Sequence, residues 1–215
     1  MKKNLTELVF ILDRSGSMSG LEKDTIGGFN SFVNKQKKVD GECLVSTVLF
    51  NSESRVIYDR VSLDKIRKMT DDDYVPSGST ALIDAMGDAI HHIMNVHKYI
   101  REEDVPEHTI FVIITDGEEN SSHRYSSREV KKMVNRQKSK GWEFVFLGAN
   151  IDAVETAKRY GISRDRSARY THDDKGVQMN FEVMADAVEE YRSCGSISEK
   201  HMKKIQDNYD KNKQS

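Results

Sequence analysis

Six consecutive residues, Thr109-Ile110-Phe111-Val112-Ile113-Ile114, carry almost nothing but β-branched and aromatic side chains. A strand of this composition has no face to offer water, so it must be covered on both sides. Leu8-Val9-Phe10-Ile11-Leu12 and the stretch from Trp142 to Leu147 repeat the pattern, and Cys43 to Phe50 is also strongly strand-like. These runs are too short to span a bilayer. Between them the apolar residues change to helical spacing: Ile26, Phe29 and Val33 in one segment, Leu82, Ala85, Met86, Ala89, Ile90, Ile93 and Met94 in another. Strands alternating with helices mean an α/β fold with a mostly parallel sheet, and right-handed crossovers put helices on both faces. One strand breaks the alternation. Arg55 to Asp59 follows Phe50 after only Asn51-Ser52-Glu53, so the pair is expected as an antiparallel hairpin at the sheet edge. The expectation is a doubly wound three-layer sandwich. Its six-stranded sheet is mostly parallel, with one antiparallel edge strand.

Weaker signals fill in the rest. Ser62 to Met69 reads as one or two turns of helix, and 151–160 as a short helix. Ser167 to Thr171 reads as a last edge strand, and Val177 to Tyr191 as a last long helix. Gly27-Gly28 inside the first helix costs helix propensity, and close packing of that helix on the sheet explains it. Cys43 belongs to a strand and Cys194 lies near a helix end, so no disulfide framework is expected. His91, His92 and His97 read as ordinary helix residues, because adjacent positions point apart. From Ser196 the chain is polar and lysine-rich. The expected organisation is one domain over 1–195 and a tail over 196–215, helical or disordered, without which the body folds.

The chemistry sits where the strands end. Asp13-Arg14-Ser15-Gly16-Ser17-Met18-Ser19 follows the first apolar run, and Thr115-Asp116-Gly117 follows the run at 109–114. Between them, Ser77-Gly78-Ser79-Thr80 makes a turn just before a helix. In an open α/β sheet ligands bind beyond the carboxyl ends of the strands. Asp13, Ser15, Ser17, Thr80 and Asp116 can therefore converge. Such oxygen donors of mixed charge suit a hard divalent cation, Mg²⁺ above all. A serine-rich loop that merely caps the next helix is the plainer alternative for 13–19.

With these three segments in order, the sequence resembles the von Willebrand factor type A domains that carry a metal-ion-dependent adhesion site. That site is defined by Asp-x-Ser-x-Ser, a later threonine, and a later aspartate followed by glycine. Here they are Asp13-Arg14-Ser15-Gly16-Ser17, Thr80 and Asp116-Gly117. The resemblance covers roughly Leu5 to Arg192 and implies a Rossmann-like sheet. It implies Mg²⁺, with Mn²⁺ or Ca²⁺ as substitutes, bound directly by the hydroxyls of Ser15, Ser17 and Thr80. Asp13 and Asp116 would act through bound water, and an Asp or Glu side chain of a protein partner would complete the site. The rim around it is expected to comprise Met18, Ser19, Asp73, Tyr74, Glu118, Glu119, Asn120, Arg124 and Tyr125.

The resemblance is to intracellular bacterial members, and no signal-peptide or long apolar segment is apparent, so a cytoplasmic location is expected. A formal charge of -2 gives no basic excess for nucleic acid, and no membrane segment is expected. A metal-dependent hydrolase is the rival class. Ser15 stands where an aspartyl-phosphate enzyme would carry its second Asp, and the chain has no lysine-bearing phosphate loop or Gly-x-Ser-x-Gly elbow. The remaining alternative is a scaffold subunit of an intracellular stress, tellurite-resistance or ATPase-associated complex, in which the metal only stiffens the loops.

Overall fold

A computed structural model describes residues 1–213. The strands are β1 (Lys2–Asp13), β2 (Glu42–Phe50), β3 (Ser54–Ser62), β4 (Pro106–Thr115), β5 (Glu143–Gly148) and β6 (Ser167–Arg169). The helices are α1 (Glu22–Gln36), α2 (Leu82–Tyr99), α3 (Ser127–Lys138), α4 (Ala153–Arg159), α5 (Asp174–Cys194) and α6 (Lys200–Lys213). The sheet order is β3-β2-β1-β4-β5-β6, and every pairing is parallel except β2 with β3. The antiparallel edge strand is where the short Asn51-Ser52-Glu53 turn places it. No described helix is long and apolar enough to cross a membrane.

Alternation along β1 builds both layers. Leu8, Phe10 and Leu12 point into one core with Phe29, Phe32 and Phe181. Val9 and Ile11 point into the other, with Leu82, Met86, Ile90, Val130 and Phe144. From Leu8 to Leu12 the strand feeds both cores, which is why that run is unbroken; the buried Glu7 just before it is paired with Arg60 at 2.8 Å.

Two local expectations give way to tertiary contacts. The 62–69 segment forms only a single 3₁₀ turn at Leu63–Lys65. Beyond it, Asn30 of α1 donates to the Met69 carbonyl (3.0 Å) and accepts from its N–H (2.8 Å), while Lys37 donates to the Ile66 carbonyl (2.9 Å). Side chains thus take the backbone groups that a helix would have paired internally. Of the Gly27-Gly28 pair only Gly28 serves close packing, and it does so against a helix rather than the sheet. A Cβ on Gly28 would stand 2.3 Å from the Phe181 ring of α5, whereas Gly27 meets nothing within 4 Å.

The 196–213 stretch is not a free tail. Ile197, Met202 and Ile205 are buried in the same core as Leu8 and Phe181. Gln206 accepts a hydrogen bond from the Arg169 N–H at 3.0 Å, which covers the open edge of the three-residue strand β6. Glu190 on α5 accepts from Ser198 and sits 2.6 Å from His201. The last residues of the expected tail, 214 and 215, lie outside the described residues.

Candidate metal centre

The order of strands reverses between β1 and β4, and that is where the site lies. Pairing runs to Leu12 opposite Ile114, so Asp13 ends its strand level with Thr115 and just short of Asp116. Thr115 Oγ1 donates to Asp13 Oδ2 at 2.6 Å, and the Ser15 N–H donates to Oδ1 at 2.7 Å. Ser15 Oγ lies 3.0 Å from Ser17 Oγ, and Ser17 Oγ donates to Asp116 Oδ1 at 2.7 Å. Thr80 arrives from the second loop. Its Oγ1 and that of Ser17 each stand 3.5 Å from the point that a Cβ on Gly117 would occupy. The structure therefore brings all five expected residues together, and Gly117 leaves the space between the hydroxyls open.

Backbone bonds hold these loops in register. The Gly16 N–H donates to the Gly78 carbonyl (3.1 Å), Ser77 N–H to that of Arg14 (2.9 Å) and Ala81 N–H to that of Asn51 (2.7 Å). Gly78 has φ +72°, a conformation that side chains rarely adopt, and a Cβ there would meet Ser52 Oγ at 2.6 Å. Beneath the site two buried tyrosines fix the strand ends. Tyr74 donates to the Asp13 carbonyl at 2.5 Å and Tyr170 to that of Thr115 at 3.2 Å. Burial pushes both phenols well up, so they stay neutral donors.

The electrostatics favour a cation. Asp13 is 2% exposed, and burial raises its carboxyl above the usual range. The bonds from Thr115 and Ser15 offset part of this, and the charge of nearby Asp116 adds to it. Neutral hydroxyls from two loops facing a gap beside two buried carboxylates are a donor set that fits a hard divalent ion. Among the described residues no group of three or more His, Cys, Asp or Glu side chains could hold a metal.

The expected rim is sorted differently. Met18 and Tyr74 are buried, and both leave the rim: Met18 belongs to the core with Leu12 and Phe29. Asp73 is buried too, gripped by both Arg67 nitrogens at 2.6 Å and by the Thr70 N–H at 2.9 Å. Those donors, Arg67 first, hold its carboxyl well below the usual range. Glu119 accepts from the N–H groups of Ile83 (2.8 Å), Ser121 (2.9 Å) and Ser122 (2.7 Å), which ties the third loop to the start of α2. Asn120 accepts from the Thr80 N–H at 2.9 Å, so it positions Thr80 even though it is exposed. Tyr125 is half-buried, its ring against Gly87. Ser19, Glu118 and Arg124 remain on the surface, with Arg124 paired to Asp88 at 2.6 Å.

Three participants escape the sequence reading. Thr115 reads only as the end of a strand. Asp84, inside α2, is buried and accepts from the N–H groups of His123, Arg124 and Tyr125 at 2.9–3.0 Å, so it shapes the third loop. His172 comes from a fourth loop, after β6, and its Nε2 lies 2.7 Å from Asp116 Oδ2. In sequence it is one residue of a polar turn.

Comparison with known proteins agrees with this architecture. The sequence pattern of the von Willebrand factor type A domain matches residues 7–184. No curated protein sequence matches. Among solved structures, the vWF domain of the type V pilus tip protein Mfa5 of Porphyromonas gingivalis is similar over 90% of this chain and 98% of that domain's chain, at 11% identity and a TM-score of 0.61. Manganese-loaded TRAP of Plasmodium vivax is similar over 83% of this chain and 73% of its own, at 18% identity and a TM-score of 0.56. Proximal thread matrix protein 1 of the mussel byssus, with its adhesion-site motif occupied by zinc, matches 86% of this chain at 15% identity and a TM-score of 0.58; this chain spans 46% of its length. These likenesses overturn the expected cytoplasmic location, since a byssus thread and a pilus tip lie outside the cell. They carry no mark of an intracellular bacterial subtype either.

Proposed function

Because the chain belongs to the von Willebrand factor type A domain family, we propose that it is a metal-dependent protein-binding module whose partner offers a single Asp or Glu side chain. As a domain of this family it is an interaction module rather than a catalyst. The observation that carries the finer reading is the meeting of Ser15, Ser17 and Thr80 hydroxyls beside the buried carboxylates of Asp13 and Asp116. In this reading the three hydroxyls hold the cation, which supplies an electrophilic position for the partner's carboxylate. Neutral first ligands leave its charge only partly spent. Asp13 and Asp116 balance that charge from behind and hold bound water. Mg²⁺ is the expected ion, and the manganese and zinc carried by the similar folds are chemically acceptable substitutes.

The surface residues give the partner its character. Glu118 is exposed near the site, and Arg124 and His123 follow it. A lone carboxylate on a neutral or basic surface fits such a rim better than an acidic cluster would. The test is a titration of the chain with Mn²⁺, followed by electron paramagnetic resonance, with Mg²⁺ as competitor. A short Asp-containing peptide is then added with metal and with chelator. Expected are one bound ion per chain and peptide binding that chelator abolishes. No bound Mn²⁺ at saturation would sink the reading, and bound metal without peptide binding would favour the scaffold role.

A further inference from the structure

We propose that His172 is a positioning residue of this centre, fixing Asp116 so that its carboxylate faces the hydroxyls. The inference rests on the metal reading above and adds to it a residue outside the three-part motif. Asp116 is 1% exposed, and each of its oxygens has its own donor. Ser17 Oγ donates to Oδ1 at 2.7 Å, and His172 Nε2 is 2.7 Å from Oδ2. A carboxylate oxygen only accepts, so Nε2 carries the proton, and the neutral ring suffices. Among the described residues His172 is the donor to Oδ2. Without it the carboxylate is held at one oxygen only and can rotate.

His172 is itself anchored on both sides. Tyr170, two residues earlier, is buried and bonded to the Thr115 carbonyl, next to Asp116. Asp173, the next residue, caps α5 by accepting the Gly176 N–H at 2.7 Å and the Thr171 hydroxyl at 3.0 Å. The turn is closed so tightly that a Cβ on Gly176 would stand 2.0 Å from the Thr171 carbonyl oxygen. A ring on so fixed a backbone can aim a carboxylate 56 positions away in sequence. The arrangement is that of an outer donor that orients a metal-site carboxylate, whose loss elsewhere weakens metal binding by about 10–100-fold.

The experiment compares wild type, His172→Ala and His172→Gln. Mn²⁺ affinity is measured at one pH, and thermal unfolding is measured in chelator. His172→Ala is expected to weaken Mn²⁺ by about tenfold or more, while its unfolding in chelator stays near wild type because the side chain is only half-buried. His172→Gln keeps an N–H at similar reach and is expected to recover most of the affinity. A purely structural residue would move the melting curve and show no such rescue. Equal Mn²⁺ affinity in all three proteins overturns the inference and leaves the metal reading standing. Glutamine as weak as alanine overturns the donor role. A wild type that takes no Mn²⁺ overturns both. The imidazole ¹⁵N spectrum of the wild type gives an independent check, since a ring protonated at Nδ1 alone would also overturn it.

Discussion

Asp13, at the end of β1, and Glu190, on α5, are carboxylates held by opposite means. Burial drives the Asp13 carboxyl above its usual range, and neighbouring Asp116 pushes it the same way. The Glu190 carboxyl is held down at about 2 by donors from Ser198, His201 and Lys200, the serine first. The first region keeps a charge that its protein partners only partly satisfy. The second matches its charge with donors and rests on an apolar layer of Ile197, Met202 and Ile205. A region with surplus buried charge gains stability when a cation arrives; a region that is already satisfied gains nothing. The contrast separates the part of the molecule available for binding from the part that holds it together.

The largest effect should come from removing the satisfied corner. Truncation after Gly195 removes three buried apolar side chains and bares the core surface they cover, at roughly 1.5–3 kcal/mol each, on the order of 5 kcal/mol together. It also uncovers the edge of β6. The urea midpoint should collapse and added Mg²⁺ should not restore it; an unchanged midpoint would show that the corner is dispensable. Ile205→Ala tests the same layer alone and should cost about 2–5 kcal/mol.

Next in size is the response to metal. At a concentration about 100 times its dissociation constant, Mg²⁺ should stabilise the wild type by about 2.7 kcal/mol. Ser15→Ala should erase most of that gain while leaving unfolding in chelator nearly unchanged. A Ser15→Ala protein that keeps the full gain would move the ion elsewhere.

The pH limbs are smaller and of opposite sign. Glu190 is depressed in the folded state, so its contribution is present above the ordinary glutamate value of about 4.3 and is lost as pH falls toward about 2. Glu190→Gln should flatten the acid limb of stability. Asp13 is raised, so its contribution in metal-free protein is full below the ordinary aspartate value of about 3.9 and fades as pH climbs through the raised one. Asp13→Asn should remove that second slope only. If both variants change the same limb, the contrast between the regions is wrong. The smallest expected change is in Thr80→Ala, which should shift stability by under about 1 kcal/mol yet weaken the Asp-containing peptide measurably in a calorimetric titration with Mg²⁺.

Sequence alone determined the layers and the heart of the site, because both are written in short-range patterns. Leu8 to Leu12 and Ile110 to Ile114 lack a polar face, and that fixes a covered parallel strand wherever it sits. Asp13, Ser15 and Ser17 lie within one turn, Thr80 lies just before a helix and Asp116 just after a strand, and the sequence marks both boundaries. Only the tertiary structure decided the rest. Whether Tyr74 and Met18 face the rim or the core depends on what packs above them, and both turned inward. Asp73 and Glu119 look like surface acids until Arg67 and the start of α2 are brought to them. The 196–213 stretch buries only three apolar side chains, too few to announce a core element. It packs against β6, a strand of three residues, and covers its edge. His172 meets Asp116 across 56 residues from a polar turn whose local pattern does not say what it faces. Backbone periodicity is a property of neighbours along the chain; the satisfaction of a buried charge is a property of neighbours in space, and only the folded chain supplies those.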